Sequence, residues 1–429
     1  MGPLATADLY HRLVRHTPAD SDQAHLPVLM WADPAVPDRI AALLGEGPSP
    51  VPPMVDGAAG SSVREQAARS CPADHEQKRA SPLGRPSRAW LSASLSHTTP
   101  TTATSVPQES IMSHSSLDVP NAEGKKEPMS DLPPLAKKDT YKVGFAQVEA
   151  NNPWRIAQTE SMKAEAAKLG YQLVYTDAQS SAAKQVSDVN AMIAQGVDLI
   201  FLSPREEKPL IPAVRAAKDA GIPVVLLDRS VDLALAKPGV DYVTFIGSDF
   251  VMQGQRVGEW LAKNAKDKKK IIQLEGTAGS SPAMGRKKGF DDAVKAAGGF
   301  EIVASRSGDF SRDKGCQVAE ALLKAHPGAQ LIYAHNDEMA FGAIAALESV
   351  GKIPGKDVLV LSVDGGKEAV DAISRGKLAA AVECNPRFGP IAFETLKRYA
   401  AGDRVASWVK VTDKFFDASN AATEVAGAY

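Results

Sequence analysis

One stretch decides the fold that we expect for this chain: Val224-Val225-Leu226-Leu227-Asp228-Arg229-Ser230. Four apolar residues that lead into an acid and a base are typical of a parallel strand buried on both faces. Ligands of open α/β sheets bind beyond the carboxyl ends of such strands. Asp228 and Arg229 therefore form either an exposed ion pair that closes the strand or part of a binding site, and the rest of the chain has to distinguish the two.

Similar apolar runs alternate with helical periodicity from about residue 140 onward. Strands are predicted at 141–148, 173–175, 198–203, 224–227, 242–247, 271–276, 301–305, 331–334, 358–363 and 379–383. The first helix has a complete start signal, because Asn152 can cap it and Pro153 can take its first position. Strands alternating with helices predict parallel sheets covered on both faces, and about ten strands exceed one comfortable sheet. We therefore predict an α/β protein with two lobes.

Composition narrows the class of partner. The 429 residues are 44% hydrophobic and 23% charged, as in ordinary soluble proteins. A formal net charge of −2 provides no basic field, so nucleic acid is not an expected partner. Three widely spaced cysteines fit no zinc pattern, and neither a nucleophile motif nor a Walker loop occurs, so no cofactor, metal or enzymatic activity is expected. The first twenty residues lack the regions of a signal peptide.

The region before residue 140 differs in composition. Residues 1–54 resemble the opening of aspartate/glutamate racemase family proteins, but the cysteine motif of that family is missing and Cys71 lies in Arg69-Ser70-Cys71-Pro72. We interpret 1–54 as a truncated fragment without racemase activity. Residues 55–139 are rich in Ser, Pro, Thr and Ala, with few large apolar residues, which predicts a disordered linker.

Polar and aromatic side chains follow successive predicted strands. The candidate ligand-binding residues are Trp154, Arg155, Asp228, Arg229, Arg286, Phe310, Asn336, Asp364 and Glu383. Carboxylates accept from vicinal hydroxyls, guanidinium groups donate to two oxygens, and aromatic faces cover the C–H side of a sugar ring. Each aromatic alone is also compatible with ordinary core packing, and Arg286 with a solvated helix face. The combination nevertheless favours a site for a small polyhydroxylated ligand. Gln147 and Asn151 are weaker candidates.

Six segments carry a family resemblance over roughly residues 141–429: NNPWR, LLDRSVD, GRKKGF, SGDFSRDKG, YAHNDEMAFGA and SVDGG. In this order they resemble the type I periplasmic sugar-binding proteins of ABC transporters, such as those for ribose and galactofuranose. The resemblance implies two Rossmann-like lobes, a three-crossover hinge and a ligand contact from each of the nine candidate residues. Ribose-binding relatives have a second aromatic where this chain has Arg155, which argues against ribose, as does an acid at Glu383.

The resemblance implies a monomeric periplasmic protein that binds a monosaccharide between its lobes and delivers it to a membrane permease. The expected sugar-binding domain spans 140–429, with lobe 1 at 140–246 and 385–402 and lobe 2 at 247–384 and 403–429. Replacing Asp228 by Ala is expected to abolish sugar binding and to leave folding intact. The alternative is the effector domain of a LacI-type regulator, although residues 1–139 contain no helix-turn-helix pattern. Neither the sugar nor its ring form follows from the sequence.

Overall fold

The computed structural model describes residues 132–429, apart from residues 266 and 268. The racemase-like fragment predicted at 1–54 and most of the linker predicted at 55–139 lie outside the described residues. The described elements follow in this order: β1 (Lys142–Gln147), α1 (Pro153–Leu169), β2 (Gln172–Asp177), α2 (Ala182–Ala194), β3 (Leu199–Leu202), α3 (Ile211–Asp219), β4 (Val224–Leu227), β5 (Thr244–Gly247), α4 (Phe250–Asn264), β6 (Lys270–Glu275), α5 (Ser281–Ala297), β7 (Glu301–Ser307), α6 (Arg312–Ala325), β8 (Leu331–Ala334), α7 (Asp337–Ser349), β9 (Leu359–Asp364), α8 (Lys367–Ser374), β10 (Ala380–Glu383), α9 (Gly389–Ala400), β11 (Trp408–Lys410), β12 (Phe415–Asp417) and α10 (Ala421–Glu424).

The strands form two six-stranded sheets, one in each lobe. The first has the order β11-β5-β4-β3-β1-β2 and is parallel throughout. The second has the order β12-β10-β9-β8-β6-β7 and is parallel except for β12, which runs antiparallel to β10. The predicted fold class, two α/β lobes with mainly parallel sheets, is confirmed.

Strand β4 shows why the opening sequence is continuously apolar. Its four residues are buried, and alternate side chains enter different cores. Val225 and Leu227 join the core that contains α1 and α9 residues, whereas Val224 and Leu226 join the core that contains α2 and α3 residues. Since the side chains of a strand alternate between the two faces of a sheet, helices on both faces require both sets to be apolar.

The start of α1 matches its predicted signal. Asn152 is the N-cap, and its side chain accepts a hydrogen bond from the backbone N–H of Arg155 at 2.9 Å. Pro153 occupies the first turn, and Gly170 ends the helix with a left-handed φ of +68°. These local signals fix where α1 begins, and therefore where the two side chains after Pro153 lie relative to the sheet.

The third crossover between the lobes differs from the sequence prediction. We predicted that residues 403–429 belong to the second lobe, but β11 pairs with β5 in the first sheet. The chain therefore changes sheets between Lys410 and Phe415 instead of at 402–403. A three-residue strand such as β11 is too short to produce a recognisable periodicity in the sequence.

Residues 132–139, which the sequence assigns to the C-terminal end of a disordered linker, are described by the structure, and part of this segment packs on the first lobe. Leu132 and Leu135 are buried in the core of the first lobe. The hydroxyl of Tyr399 donates to the carbonyl of Pro133 at 2.6 Å. These contacts attach residues 132–135 to the first lobe, in a segment that composition alone assigns to the linker. No helix among residues 132–429, as far as they are described, is long and apolar enough to span a membrane.

Candidate functional site

A cavity of about 320 Å³ lies between the two lobes, where strands of both sheets end. This volume includes space that is open to solvent. The cavity is lined by eight of the nine predicted residues, Trp154, Arg155, Asp228, Arg229, Arg286, Phe310, Asn336 and Asp364, together with Glu149, Asn152, Pro282 and Cys384. The strand-end groups of two separate sheets therefore converge on one space.

In the first lobe, Asp228 is paired with two buried arginines. Its Oδ2 lies 2.8 Å from Nη2 of Arg155 and 3.8 Å from Nε of Arg229. The side chains of Asp228 and Arg155 are only 6% and 5% exposed, so the exposed ion pair considered above is ruled out. Burial, followed by the charge of Arg155, lowers the pKa of Arg229 to about 10.

Neighbouring groups hold the two arginines in place. Arg155 donates to Oε1 of Gln158 at 3.0 Å, and its guanidinium carbon lies 4.6 Å from the centre of the Trp154 ring. Arg229 donates through Nη1 to the carbonyl of Arg205 at 2.9 Å. Its Nε is buried and has no hydrogen-bond partner among the described residues. Gln147, a weaker candidate from the sequence, contacts Gln158 and is absent from the cavity lining.

The second lobe presents a comparable pair, Arg286 and Asp364. Nη2 of Arg286 lies 3.3 Å from Oδ1 of Asp364, Nη1 donates to the carbonyl of His335 at 2.5 Å, and Nε donates to Oε1 of Gln253 at 2.9 Å. Burial raises the pKa of Asp364 well above the usual carboxyl range, and Arg286 offsets part of this effect. All three donor nitrogens of Arg286 are engaged, so its orientation is fixed.

Aromatic rings complete the cavity wall. The Phe310 ring centre lies 5.4 Å from the guanidinium carbon of Arg229 and 5.8 Å from that of Arg286. A Cβ atom on Gly276 would lie 2.0 Å from this ring, so only glycine leaves the space that the ring occupies. The indole N–H of Trp154 donates to the carbonyl of Cys384 at 2.6 Å, which fixes the ring plane.

Three cavity residues have left-handed backbone conformations. The φ angles are +62° at Asp228, +57° at Phe310 and +116° at Asp364. Non-glycine residues rarely adopt positive φ, and strained backbone of this kind clusters at functional sites. The conformation aims each side chain into the cavity at the end of its strand.

Asn336 and Asp337 follow β8 but face different surroundings. Asn336 lines the cavity, caps α7 by accepting from the N–H of Met339, and donates to the carbonyl of Phe310 at 3.2 Å. Asp337 accepts from Ser362 Oγ and from a backbone N–H in the loop after β9. Burial raises the pKa of Asp337 to about 7. Asn336 therefore ties two segments of the cavity wall together, and Asp337 supports the loop behind it.

Glu383 does not line the cavity. Its Oε2 accepts a hydrogen bond from the backbone N–H of Lys414 at 3.0 Å, at the start of β12. Its backbone carbonyl accepts from Gln253 at 3.2 Å. The structure thus places this residue behind the site, although it is the last residue of β10, which ends at the same sheet edge as β9.

A buried carboxylate that the sequence did not indicate joins the three crossovers. Asp413 lies in the third crossover and accepts from Ser248 of the first at 3.0 Å and from the N–H of Asn385 of the second at 3.4 Å. Its other oxygen accepts from Gln253 at 2.8 Å. Because Gln253 also accepts from Arg286, a continuous hydrogen-bonded path connects the hinge to the cavity. Burial raises the pKa of Asp413 to about 6.

Direct contacts also bridge the lobes at the cavity mouth. The N–H of Ser230 donates to Ser281 Oγ at 2.9 Å, and the N–H of Glu207 donates to the carbonyl of Gly279 at 3.0 Å. An ion pair joins Arg205 to Asp309 at 3.3 Å. These contacts describe a closed arrangement of the two lobes.

Comparison with known proteins identifies close relatives. The galactofuranose-binding protein YtfQ of Escherichia coli (strain K12) is 41% identical over 261 residues, which are 60% of this chain and 81% of that protein. The ribose import binding protein RbsB of the same organism is 39% identical over 269 residues, covering 62% and 87% of the two chains. These relatives are named as sugar-binding proteins, and RbsB as an import protein.

Solved structures agree with the sequence relatives. A galactofuranose binding protein matches with a TM-score of 0.65 and 38% identity, covering 67% of this chain and 98% of that one. A Mycobacterium smegmatis protein in complex with β-D-fucofuranose matches with a TM-score of 0.64 and 40% identity, covering 66% and 93%. Residues 143–404 match the periplasmic binding protein domain. The chain therefore belongs to the periplasmic binding protein family.

Proposed function

We propose that this chain is the substrate-binding component of a sugar ABC transporter, which binds one monosaccharide between its lobes. The observation that carries the proposal is the pair of buried arginine–carboxylate units, Arg155–Asp228 from one lobe and Arg286–Asp364 from the other. Each unit offers acceptors and donors side by side, as vicinal hydroxyls require. Phe310 lies beside Arg229 of the first lobe and Arg286 of the second, and offers an apolar face.

We further propose that the ligand binds in a furanose form, as a galactofuranose-like hexose or a pentose. Related structures are described with β-D-fucofuranose and, in a protein of Shewanella sp. ANA-3 at 37% identity, with α- and β-L-arabinofuranose. Arg155, at the start of α1, stands where ribose-binding relatives have a second aromatic residue. Its guanidinium group favours a ligand with polar edges. Glu383 is proposed to affect ligand binding only indirectly, through its hydrogen bond to Lys414 in the third crossover.

Calorimetric titration of the full chain with L-arabinose, D-galactose, D-fucose and D-ribose tests the proposal. We expect saturable binding of at least one of these sugars, and silence across all four contradicts it. Asp219→Asn is a matched control for substitutions of Asp228, because Asp219 is an exposed acid at the end of α3. The ring form is read from the anomeric carbon signal of bound [1-¹³C]-sugar. A pyranose signal rejects the furanose proposal and leaves sugar binding standing.

Closure around the ligand is the proposed mechanism. Ligand contacts from both lobes add to the direct contacts at the cavity mouth and so favour the closed state. Small-angle scattering is expected to show a smaller radius of gyration at saturating sugar. An unchanged radius contradicts the mechanism.

The remaining proposals concern the cellular context. We infer that the protein acts without chemical turnover, in the periplasm and as a monomer, and presents its bound sugar to a membrane permease. The support is membership of the periplasmic binding protein family and the import systems named for its relatives. Incorporation of the full chain with a purified permease in proteoliposomes, with sugar uptake as the readout, tests the partner.

A further inference from the structure

Glu149 is a cavity residue that neither the sequence patterns nor the family segments singled out. It follows β1 by two positions, it lines the cavity, and its side chain is only 7% exposed. A carboxylate buried to this degree needs hydrogen-bond donors, because desolvation strongly disfavours an unpaired charge. The hydrogen-bond partners of its two oxygens therefore indicate what Glu149 does in the cavity.

The contacts of Glu149 are concentrated on one oxygen. Oε2 accepts a short hydrogen bond from Ser180 Oγ and a long one from Asn151 Nδ2, at 3.4 Å. The nearest guanidinium nitrogen of Arg205 lies 3.9 Å from the same oxygen. Oε1 receives no hydrogen bond from any described residue. One face of a buried carboxylate is thus fixed by the protein, while its second oxygen is left to accept from a ligand.

Glu149 also determines the formal charge of the cavity. The lining contains three guanidinium groups, Arg155, Arg229 and Arg286, and three carboxylates, Glu149, Asp228 and Asp364. With all six groups counted as ionised, the formal charges cancel only when Glu149 is included. Without it, the lining carries one excess positive charge, which would attract the carboxylate of a sugar acid, because interactions in a buried site are weakly screened.

We propose that Glu149 accepts a hydrogen bond from a hydroxyl of the bound sugar and makes the cavity selective for neutral sugars over sugar acids. This inference rests on the proposed function of the cavity as a monosaccharide site. It assigns a substrate class, uncharged aldoses, and a residue that excludes their oxidised counterparts. A hydroxyl donates to Oε1, whereas a ligand carboxylate at that place brings two negative groups together.

The test compares D-galactose with D-galacturonate, which differ by a hydroxymethyl group and a carboxylate, with L-arabinose as a second neutral ligand. Titrations use the full chain as wild type, Glu149→Gln and Glu149→Asp. Glu149→Gln should weaken neutral sugars about fivefold and lower the ratio of the galacturonate Kd to the galactose Kd at least about tenfold. Glu149→Asp keeps the charge and should retain the wild-type ratio.

Glu206→Gln is the matched control. Glu206 also pairs with Arg205, at 3.5 Å, but it is absent from the cavity lining. If Glu206→Gln changes the ratio as much as Glu149→Gln does, the effect passes through Arg205 and the inference is overturned. If the wild type binds sugar and folded Glu149→Gln has the same ratio of the two Kd values as the wild type, the inference about Glu149 is overturned but the proposed function stands. Wild-type protein that binds none of the sugars overturns the proposed function as well.

Discussion

The substitution Asp228→Asn tests the physical basis of the site most directly. Asp228 is 4% exposed and neutralises two buried guanidinium groups, with its shortest contact at 2.8 Å to Arg155. Removing one partner of a buried ion pair costs about 3–5 kcal/mol, because the other charge stays buried. Asparagine preserves the side-chain shape and tolerates the φ of +62°, so we expect the lower value, about 3 kcal/mol. At about 2 °C per kcal/mol for a domain of this size, the melting temperature should fall by about 6 °C.

Thermal unfolding of the sugar-free protein measures this change, and calorimetric titration measures affinity. We expect sugar binding to be lost. The double variant Asp228→Asn/Arg155→Met removes both partners and should recover part of the stability, because an apolar replacement leaves fewer unpaired charges. A melting temperature within about 1 °C of wild type, or an affinity within about threefold, would refute the reasoning. The variant is still expected to fold, as predicted from the sequence for Asp228→Ala, but with a lower free energy of unfolding.

Three further predictions concern other parts of the molecule. Gly276→Ala should displace the Phe310 ring, since the new Cβ would lie 2.0 Å from it, and weaken sugar binding about tenfold in titrations without loss of the circular dichroism spectrum. Burial raises the pKa of Asp413 to about 6, so the folded protein binds this proton more tightly than the unfolded chain does, and stability from this group falls as pH rises from about 4 to about 6. Urea unfolding should show that the free energy of unfolding of the wild type falls by up to about 3 kcal/mol more than that of Asp413→Asn between these pH values. If the two free energies change with pH in parallel, the raised pKa of Asp413 is contradicted. Asp309→Asn breaks the ion pair with Arg205 across the cleft and should accelerate sugar release about twofold to fivefold in stopped-flow experiments, whereas an unchanged rate means that the pair does not hold the lobes closed.

Much of the fold and the site could be predicted because both depend on strand ends. The carboxyl ends of parallel strands share one edge of a sheet, so Asp228 after β4 and Asp364 at the end of β9 were expected at a common cleft. Glu383 satisfies the same rule, yet its carboxylate accepts a hydrogen bond from the N–H of Lys414, and the next residue, Cys384, lines the cavity instead. Position along a strand predicts the edge but not the final rotamer.

Other features could not be predicted from this sequence because their signals are not local. Glu149 follows a strand without any distinctive neighbour, and only the positions of Ser180 and Arg205 show that one of its oxygens is free for a ligand. Asp413 lies in an ordinary polar segment, and its partners are in crossovers that are far apart in sequence. Such residues are recognised by what surrounds them in space.

The left-handed backbone at Asp228, Phe310 and Asp364 restricts how the sugar preference of this chain can change. A random substitution at these positions must satisfy a conformational requirement before it can meet a new ligand, so most replacements fail for reasons unrelated to the sugar. Arg155 lies in a regular helix and carries no such requirement. In a selection for altered sugar use, adaptive mutations should therefore accumulate at Arg155 and Glu149 while the three left-handed positions stay unchanged. The residues that a ligand needs in order to bind are thus different from the residues that determine which sugar binds.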